Sequence, residues 1–431
     1  MALLLSLIVL LSLSALVLAF LAMSAFEPLI AQNLVDSTSA RMLADSGIEL
    51  AYTMLVATPN WNTLLVAATA ATCAANGVGP LLGTANATLP GLPAASGTVT
   101  IRLRNDCQVA DGPVTGVAPE AAASFGNDTN DRLIVESTGV KNNASRTITA
   151  VIRKIRLPTI NAALAFPGVQ ASVDVGGAGL AIDGRDTRLA DAAGNPTGPA
   201  PPVFGISVSS LFPGNAAQVQ TALLANSQTE VYGMNPDGSS GVVQGATTVT
   251  PDGALTSQMV VDFVNTVKSL ADVSVTSSAA SPYAVRDVGS SCASDIDSPT
   301  CWGTDARPKI VYVNGVLGSA DEQITSLAVS GTSVGTGILI VENGTVSIAD
   351  DFQWHGPIIV SGTNVGIRYR GNASQRILGG VIVNELRSGG GVDLEGEIGA
   401  QAGMVYSTEA LGLVSAGLNR RLTRLYNWRE K

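Results

Sequence analysis

The sequence predicts an α+β protein with a long, kinked N-terminal helix, a small antiparallel β-sheet head and an all-β C-terminal domain that forms a parallel β-solenoid. Three observations support this class. The first 26 residues are apolar and uncharged, residues 97–157 contain three runs of alternating apolar and polar side chains, and short apolar runs headed by glycine recur after residue 330. We expect residues 1–57 to form the helix, 58–160 the head, and 161–431 the C-terminal domain, with an insertion at about 187–305.

The N-terminal helix is predicted to continue well beyond its apolar start. Glu27 and Pro28 interrupt the apolar run, but helical spacing resumes after them. Pro28 removes a backbone donor and should kink the helix, and Pro59 marks its end. At about 1.5 Å per residue, a helix of about 55 residues spans roughly 80 Å. The apolar positions that recur at three- and four-residue steps are Ile30, Leu34, Leu43, Gly47, Leu50 and Met54.

The apolar segment differs from a secretory signal peptide, which begins with basic residues. Here the first basic residue is Arg41. About 20 apolar residues can span a bilayer, and flanking Lys and Arg residues normally set the orientation. No such residue precedes the apolar run, so we expect that a basic leader has been removed and that Met1 is the mature N-terminus. A lone membrane anchor stays open as an alternative.

The uncharged helix, the proline at position 28 and the stretch NLVDSTSARMLADSGIELAY (residues 33–52) resemble type IV pilins, in particular the PilX-type pilus assembly proteins. The resemblance implies that a prepilin peptidase processes the chain and methylates the amine of Met1. It also implies that the helix resides in the bacterial inner membrane and then joins other pilin subunits in an extracellular filament. Leu5, Glu27 and Pro28 are the notable positions of this assembly helix, because pilins usually carry a glutamate where this chain has Leu5.

On this resemblance we expect a non-enzymatic minor subunit at or near the filament tip, with its large β domain displayed for adhesion to a host or surface ligand. Two alternatives remain. The chain could be the major shaft subunit of a homopolymeric filament, or a membrane-anchored surface protein with a β-solenoid domain.

The four cysteines form no CxxC motif and lie far in sequence from the only histidine, His355. A zinc site is therefore not expected. Their spacing suggests two local pairs, Cys73–Cys107 and Cys292–Cys301. In an exported protein such pairs indicate disulfides.

The C-terminal domain contains a repeat of about 20–23 residues. Each repeat has a glycine, three or four apolar residues and a polar turn, and the leading glycines are Gly337, Gly356, Gly380 and Gly403. This period is typical of the coils of a parallel β-solenoid. An irregular β-sandwich is the alternative.

Composition and residue types disfavour several functions. The net charge of −10 argues against nucleic-acid binding, and the presence of a single histidine disfavours histidine-based triads and multi-histidine metal sites. Three acidic residues at alternate positions are better explained by a solvent-exposed sheet face than by a catalytic acid/base pair: Asp393, Glu395 and Glu397. We expect no cofactor, although Asp183, Asp186 and Asp191 are weak candidates for Ca²⁺ ligands.

The last residues, 419–431, hold a basic cluster with interleaved aromatic side chains. We expect this tail to form a strand or helix that packs on the antiparallel sheet, with Leu422, Leu425 and Trp428 facing inward. A contact with phosphates or another acidic surface is the alternative.

Overall fold

The computed structural model describes residues 2–65, 85–120, 126–175, 181–192, 194–225, 230–237, 239, 241–278, 281–317, 323–370, 374–387, 394–399 and 402–430. The chain divides into two compact units. Unit 1 comprises Met1–Lys154 and Thr423–Lys431, and unit 2 comprises Ile155–Leu422. The larger unit is therefore inserted between two segments of the smaller one.

Unit 1 consists of one long helix and a four-stranded antiparallel sheet of order β1-β2-β3-β25. The helix continues through Pro28 as a single element, which confirms the predicted length. The three alternating runs form β1, β2 and β3, as predicted. The elements are α1 (Ala2–Ala57), β1 (Thr98–Asn105), α2 (Gly112–Thr115), β2 (Arg132–Lys141), β3 (Ala144–Lys154) and β25 (Thr423–Glu430).

The second half of α1 packs on the sheet through small and branched side chains. Its buried residues are Asp36, Ala40, Leu43, Ala44, Ile48, Ala51 and Leu55. Two glycines make the approach close. A Cβ on Gly139 would lie 2.1 Å from the Ala40 carbonyl oxygen, and one on Gly47 would lie 2.2 Å from Ser137 Oγ. Ile30 and Leu34, which the periodicity placed on the same apolar face, are exposed.

The C-terminal tail forms β25, which pairs antiparallel with β3. Leu425 and Trp428 were predicted to face inward, but they expose 49% and 40% of their surface. The reason is coverage by the helix: α1 packs over β1, β2 and β3, which contribute strand residues to the core beneath it, whereas β25 contributes none. Leu422 is buried, but in unit 2.

Unit 2 is built mainly from three ladders of parallel strands. The first ladder contains, in spatial order, β11 (Val273–Thr276), β14 (Arg307–Asn314), β16 (Ser333–Glu342), β19 (Ile358–Gly362), β22 (Val381–Glu385), β4 (Ala162–Phe166), β7 (Phe204–Ser209) and β10 (Val249–Asp252). The second contains β12 (Tyr283–Arg286), β15 (Thr325–Ser330), β17 (Thr345–Ala349), β20 (Gly366–Arg370), β23 (Gly396–Ile398) and β5 (Val173–Val175).

The third ladder begins with the first residues of β16 and continues through β18 (Phe352–His355), β21 (Gln375–Leu378), β24 (Ala402–Val405), β6 (Ala181–Asp183) and β8 (Val231–Met234). Two short strands pair antiparallel with ladder strands: β9 (Val242–Gln244) with β8 of the third ladder, and β13 (Gly303–Thr304) with β14 of the first. Three helices complete the unit: α3 (Gly214–Ala225), α4 (Ser257–Val267) and α5 (Thr408–Leu422).

The chain visits the ladders in rotation from β14 to β24: first, second, third, then first again. Strands β4, β5 and β6 follow the same rotation and pair with β22, β23 and β24. The segment 187–305, predicted as an insertion, supplies β7, β8, β10, β11 and β12 to these ladders. Its strands are two to six residues long, too short for a clear alternation signal in the sequence.

The first ladder is buried on both faces. Leu339 and Val341 face the core between the ladders, whereas Ile338 and Ile340 pack with α4 and α5 on the other side. A strand buried on both faces reads as a continuous apolar run, which explains the segments GILIV and PIIV. This ladder therefore carries the strongest repeat signal in the sequence.

The repeat glycines occupy a corner between the third and first ladders. Gly337, Gly356 and Gly379 have φ values of 145°, 123° and 135°, and a Cβ on Gly356 would lie 2.1 Å from the Gly337 carbonyl oxygen. The column contains Gly379 rather than the predicted Gly380. Gly403 does not belong to it, because it lies within β24 in register with Arg376.

One of the two predicted disulfides is confirmed. Cys292 and Cys301 are bonded, with their Cα atoms 4.8 Å apart. For the other pair, Cys107 is not a free thiol, and its predicted partner Cys73 lies outside the described residues.

Candidate functional site

The first part of α1, Ala2–Val35, is here named the bare segment. Its large apolar side chains, from Leu3 to Val35, expose 48–83% of their surface. The helix is long and apolar enough to cross a membrane, with a mean hydropathy of 2.8 in its most apolar window, and a signal sequence meets the same criterion. Burying one such side chain stabilises by about 1.5–3 kcal/mol. An apolar environment, lipid or protein, is therefore strongly favoured for this segment.

Three serines of the bare segment, Ser6, Ser12 and Ser14, satisfy their hydroxyls within the helix. Ser6 Oγ donates to the Leu3 carbonyl at 2.9 Å, and Ser14 Oγ donates to the Leu10 carbonyl at 2.8 Å. Ser12 makes the same kind of bond at 2.9 Å. A buried hydroxyl without a partner would cost about 1–3 kcal/mol, and these bonds avoid that cost. These three hydroxyls can therefore enter an apolar environment with their hydrogen bonds already made.

A polar cluster marks the point where the bare segment meets the sheet. Asp36 is buried and accepts hydrogen bonds from Asn142 Nδ2, 3.0 Å from each carboxylate oxygen. Gln32 Nε2 donates to the same carboxylate at 3.0 Å. Arg146 donates to Ser37 Oγ one residue further on. These bonds fix the helix to the turn between β2 and β3, so the bare segment leaves unit 1 at a defined position.

Glu430 of β25 forms one ion pair with α1, through Arg41, and a second with β3, through Arg146. Glu430 lies 3.4 Å from Arg41 and 3.9 Å from Arg146. The Arg41 guanidinium lies 5.9 Å from the centre of the Trp428 ring. Because these groups are partly exposed, each pair contributes at most about 1 kcal/mol. Their role is to hold the end of β25 beside the helix.

The predicted assembly positions lie in the bare segment. Leu5 is 67% exposed, and Glu27 and Pro28 belong to the continuous helix. Met1, the predicted site of processing and methylation, lies outside the described residues. Within Ala2–Phe26 no side chain is charged, so this part of the helix has no carboxylate to pair with a cation on a neighbouring helix.

The calcium candidates are not arranged as a metal site. Asp183 binds Arg185, and its oxygens lie 2.6–3.1 Å from the guanidinium nitrogens. Asp186 and Asp191 accept hydrogen bonds from backbone amides instead. Within the described residues, no group of three or more acidic, histidine or cysteine side chains could hold a metal ion.

The only histidine forms part of a small polar cluster in unit 2. His355 Nδ1 lies 2.8 Å from Asp305 Oδ1, which also accepts a hydrogen bond from Thr336 Oγ1 at 2.8 Å. These bonds lower the pKa of Asp305 against the opposing effect of its burial. The cluster links the β13–β14 hairpin to the third ladder.

The acidic stretch at 393–397 is not a uniformly wet face. Glu395 is buried and accepts a hydrogen bond from the Ser172 amide, whereas Glu397 pairs with Arg368 at 3.3 Å. Asp393 lies outside the described residues. The expected exposure is therefore wrong for Glu395, which bridges two segments of unit 2.

Two residues important for the site gave no sequence signal. Gly139 interrupts an otherwise ordinary strand pattern, and its contact with Ala40 is visible only when helix and sheet are together. Asp36 lies off the apolar three- and four-residue steps of the helix, yet it is 6% exposed because Asn142 reaches it from the turn between β2 and β3. Neither contact is local in sequence.

No protein-family model, curated protein or solved structure matched this chain.

Proposed function

We propose that this chain is a non-enzymatic subunit of a type IV pilus or related bacterial filament. In this proposal the bare segment packs against neighbouring helices in the filament core, and unit 2 is displayed on the outside for adhesion. One observation carries it: a single 56-residue helix is uncovered and apolar in its first part and packed on a four-stranded antiparallel sheet in its second. This is the division of roles that a pilin helix requires.

The bare segment suits two successive environments. Lipid satisfies its apolar surface before assembly, and helix association there depends on close packing of small residues rather than on hydrophobic burial. Ser6, Ser12, Ser14 and Ala15 supply such positions. In a filament surrounded by water, the same surface gains about 25 cal/mol for each Å² that neighbouring helices bury.

The partners follow from this assignment. We expect the inner membrane and a prepilin peptidase before assembly, and other pilin subunits afterwards. Unit 2 would meet a host or surface ligand. The mature location would be an extracellular filament at the cell surface.

Two features favour a position at or near the filament tip over the shaft. Ala2–Phe26 offers no carboxylate to neutralise a charge buried on a neighbouring helix, and an unpaired buried charge costs several kcal/mol. Unit 2 is larger than unit 1, and a copy on every subunit would crowd a tightly wound shaft. A wide shaft with outward domains is the competing arrangement.

We also infer that unit 2 is a parallel β-solenoid. The support is the rotation of the chain through three parallel ladders, with glycines stacked at one corner. An experimental structure in which the chain visited the strands in another order would contradict this.

A matched pair of substitutions separates a filament subunit from a simple membrane anchor. Ser14→Leu keeps the helix apolar but removes a small residue from the bare segment, and over-packing costs about 1–3 kcal/mol. We expect an unchanged amount in the membrane fraction and about tenfold less protein in sheared filaments.

Ser46→Leu is the control, because Ser46 is also exposed and also bonds a carbonyl four residues back, at 2.8 Å, but lies on the packed part of α1. It should leave both fractions unchanged. A wild-type chain that stays in the membrane and never enters filaments would overturn the proposal.

A further inference from the structure

A cavity of about 450 Å³ lies in unit 2 beside the loop that joins β6 to β7. Its lining includes Arg185, Asp186, Asn195, Thr197, Ala200 and Val242. Known ligand pockets span about 300–1,000 Å³ and combine apolar walls with a few convergent polar groups. This cavity has that size and that mixture.

The wall of the cavity is held by two carboxylates. Asp186 is 4% exposed, and it accepts hydrogen bonds from the amides of Ala200 at 3.0 Å and Thr408 at 2.9 Å. Asp191 accepts from the amides of Arg188 at 2.8 Å and Thr197 at 2.7 Å. The loop is therefore fixed at several points, which favours a preformed site.

Arg185 is fixed in orientation at the edge of the cavity. Its Nε and Nη2 donate to Asp183, and its guanidinium stacks 4.3 Å from the centre of the Tyr232 ring. Tyr232 is itself fixed, because its hydroxyl donates to Glu230 at 2.8 Å and accepts from Gln244 at 3.2 Å. The bond to Asp183 raises the pKa of Arg185, so the guanidinium stays charged.

Two polar groups remain available. Among the described residues, neither Arg185 Nη1 nor the side-chain amide of Asn195 makes a hydrogen bond. A guanidinium nitrogen donates, and an amide both donates and accepts. Together they offer the donors and acceptor that a group rich in hydroxyls requires.

The local charge argues against an anionic ligand. Asp183 already neutralises Arg185, and Asp186, Asp191 and Glu230 lie around the same loop and strand. An added carboxylate or phosphate would meet like charge. A neutral, hydroxyl-rich ligand meets no such penalty.

We propose that this cavity binds a neutral saccharide unit. The inference rests on the proposed function, since it names a ligand class for the displayed domain. Arg185 Nη1 and Asn195 hydrogen-bond the sugar hydroxyls, and Ala200 and Val242 contact its apolar face.

The test uses the full chain in detergent and ligand-observed NMR with the methyl glycosides of glucose, galactose, mannose and N-acetylglucosamine, and with glucuronate as the anionic probe. We expect saturation transfer to at least one neutral glycoside and none to glucuronate. Asn195→Ala should raise the Kd about fivefold, the value of one lost hydrogen bond. Ala200→Phe should fill the cavity and abolish binding.

Arg286→Ala is a control outside the cavity, because Arg286 lies on the second ladder and is not among the residues that line the cavity. It should bind as the wild type does. Circular dichroism of each variant establishes that it is folded. Failure of every neutral glycoside at about 20 mM, or equal binding by a folded Ala200→Phe variant, would overturn the proposal.

Filament incorporation is measured in parallel on Asn195→Ala. Normal incorporation without sugar binding by the wild type would reject this site alone. Sugar binding by a chain that never enters filaments would reject the proposed function and leave the site in place.

Discussion

Gly139→Ala is expected to separate α1 from the sheet of unit 1. The added Cβ would lie 2.1 Å from the Ala40 carbonyl oxygen, 2.7 Å from the Ala44 nitrogen and 2.9 Å from Leu43 Cβ. Two of these three atoms belong to the helix backbone, so no side-chain rotation relieves the contact. Restoring an ordinary separation requires a shift of about 1 Å between helix and strand.

The cost follows from the packing that this shift disturbs. Over-packing a core typically costs about 1–3 kcal/mol, and the backbone contact places this variant near about 3 kcal/mol. For a unit of this size, 1 kcal/mol lowers Tm by about 2–4 °C, so the unfolding of unit 1 should move down by about 6–12 °C. Unit 2 should be unaffected, because its core contains none of these residues.

The two units can be followed separately by hydrogen exchange during thermal unfolding of the full chain in detergent. Gly412→Ala is the control, since nothing lies within 4 Å of the added Cβ on α5. Alanine in place of a helical glycine should stabilise unit 2 by about 0.5–1 kcal/mol. A Gly139→Ala variant in which unit 1 unfolds at the wild-type temperature would refute the described packing of α1.

Three further predictions concern the two units. Burial, together with the nearby charge of Glu120, raises the pKa of Asp106 from 3.8 to about 6. The folded state therefore binds more protons than the unfolded state, and the free energy of unfolding of unit 1 falls as the pH rises from about 4 to about 6. Asp106→Asn should flatten that slope in denaturant titrations, and an unchanged slope would contradict the assignment. Cys301→Ser removes the bond to Cys292 and should lower the free energy of unfolding of unit 2 by about 2.5 kcal/mol, the loop-closure value for about ten residues. Urea unfolding measures this change, and a loss below about 0.5 kcal/mol would show that the bond is dispensable. Lys154 and Thr423 are paired in adjacent strands, so replacing residues 155–422 by a short turn should leave unit 1 folded. Hydrogen exchange should show that the amides of its sheet stay protected. Loss of that protection would show that the units depend on each other.

The sequence was informative where the signal is local. The continuous helix and strands β1, β2 and β3 follow from periodicity within single segments. The strands of the first ladder are buried on both faces, and this is visible in the sequence as the apolar runs that follow Gly337 and Gly356. These features needed no knowledge of distant contacts.

Features that depend on distant segments were missed. The pairing of β22 with β4 joins residues more than two hundred positions apart, and no short-range pattern specifies it. The exposure of β25 could not be inferred, because it depends on which strands of the sheet α1 covers. Asp183 and Asp186 suggested calcium by residue type alone, whereas Arg185 and backbone amides occupy their oxygens.

Electron cryo-microscopy of sheared filaments from cells that produce this chain tests the central claim most directly. The account predicts that α1 lies among the helices of the filament core, with unit 2 projecting at or near one end. Core helices that belong only to other proteins, with this chain retained in the membrane fraction, would contradict it.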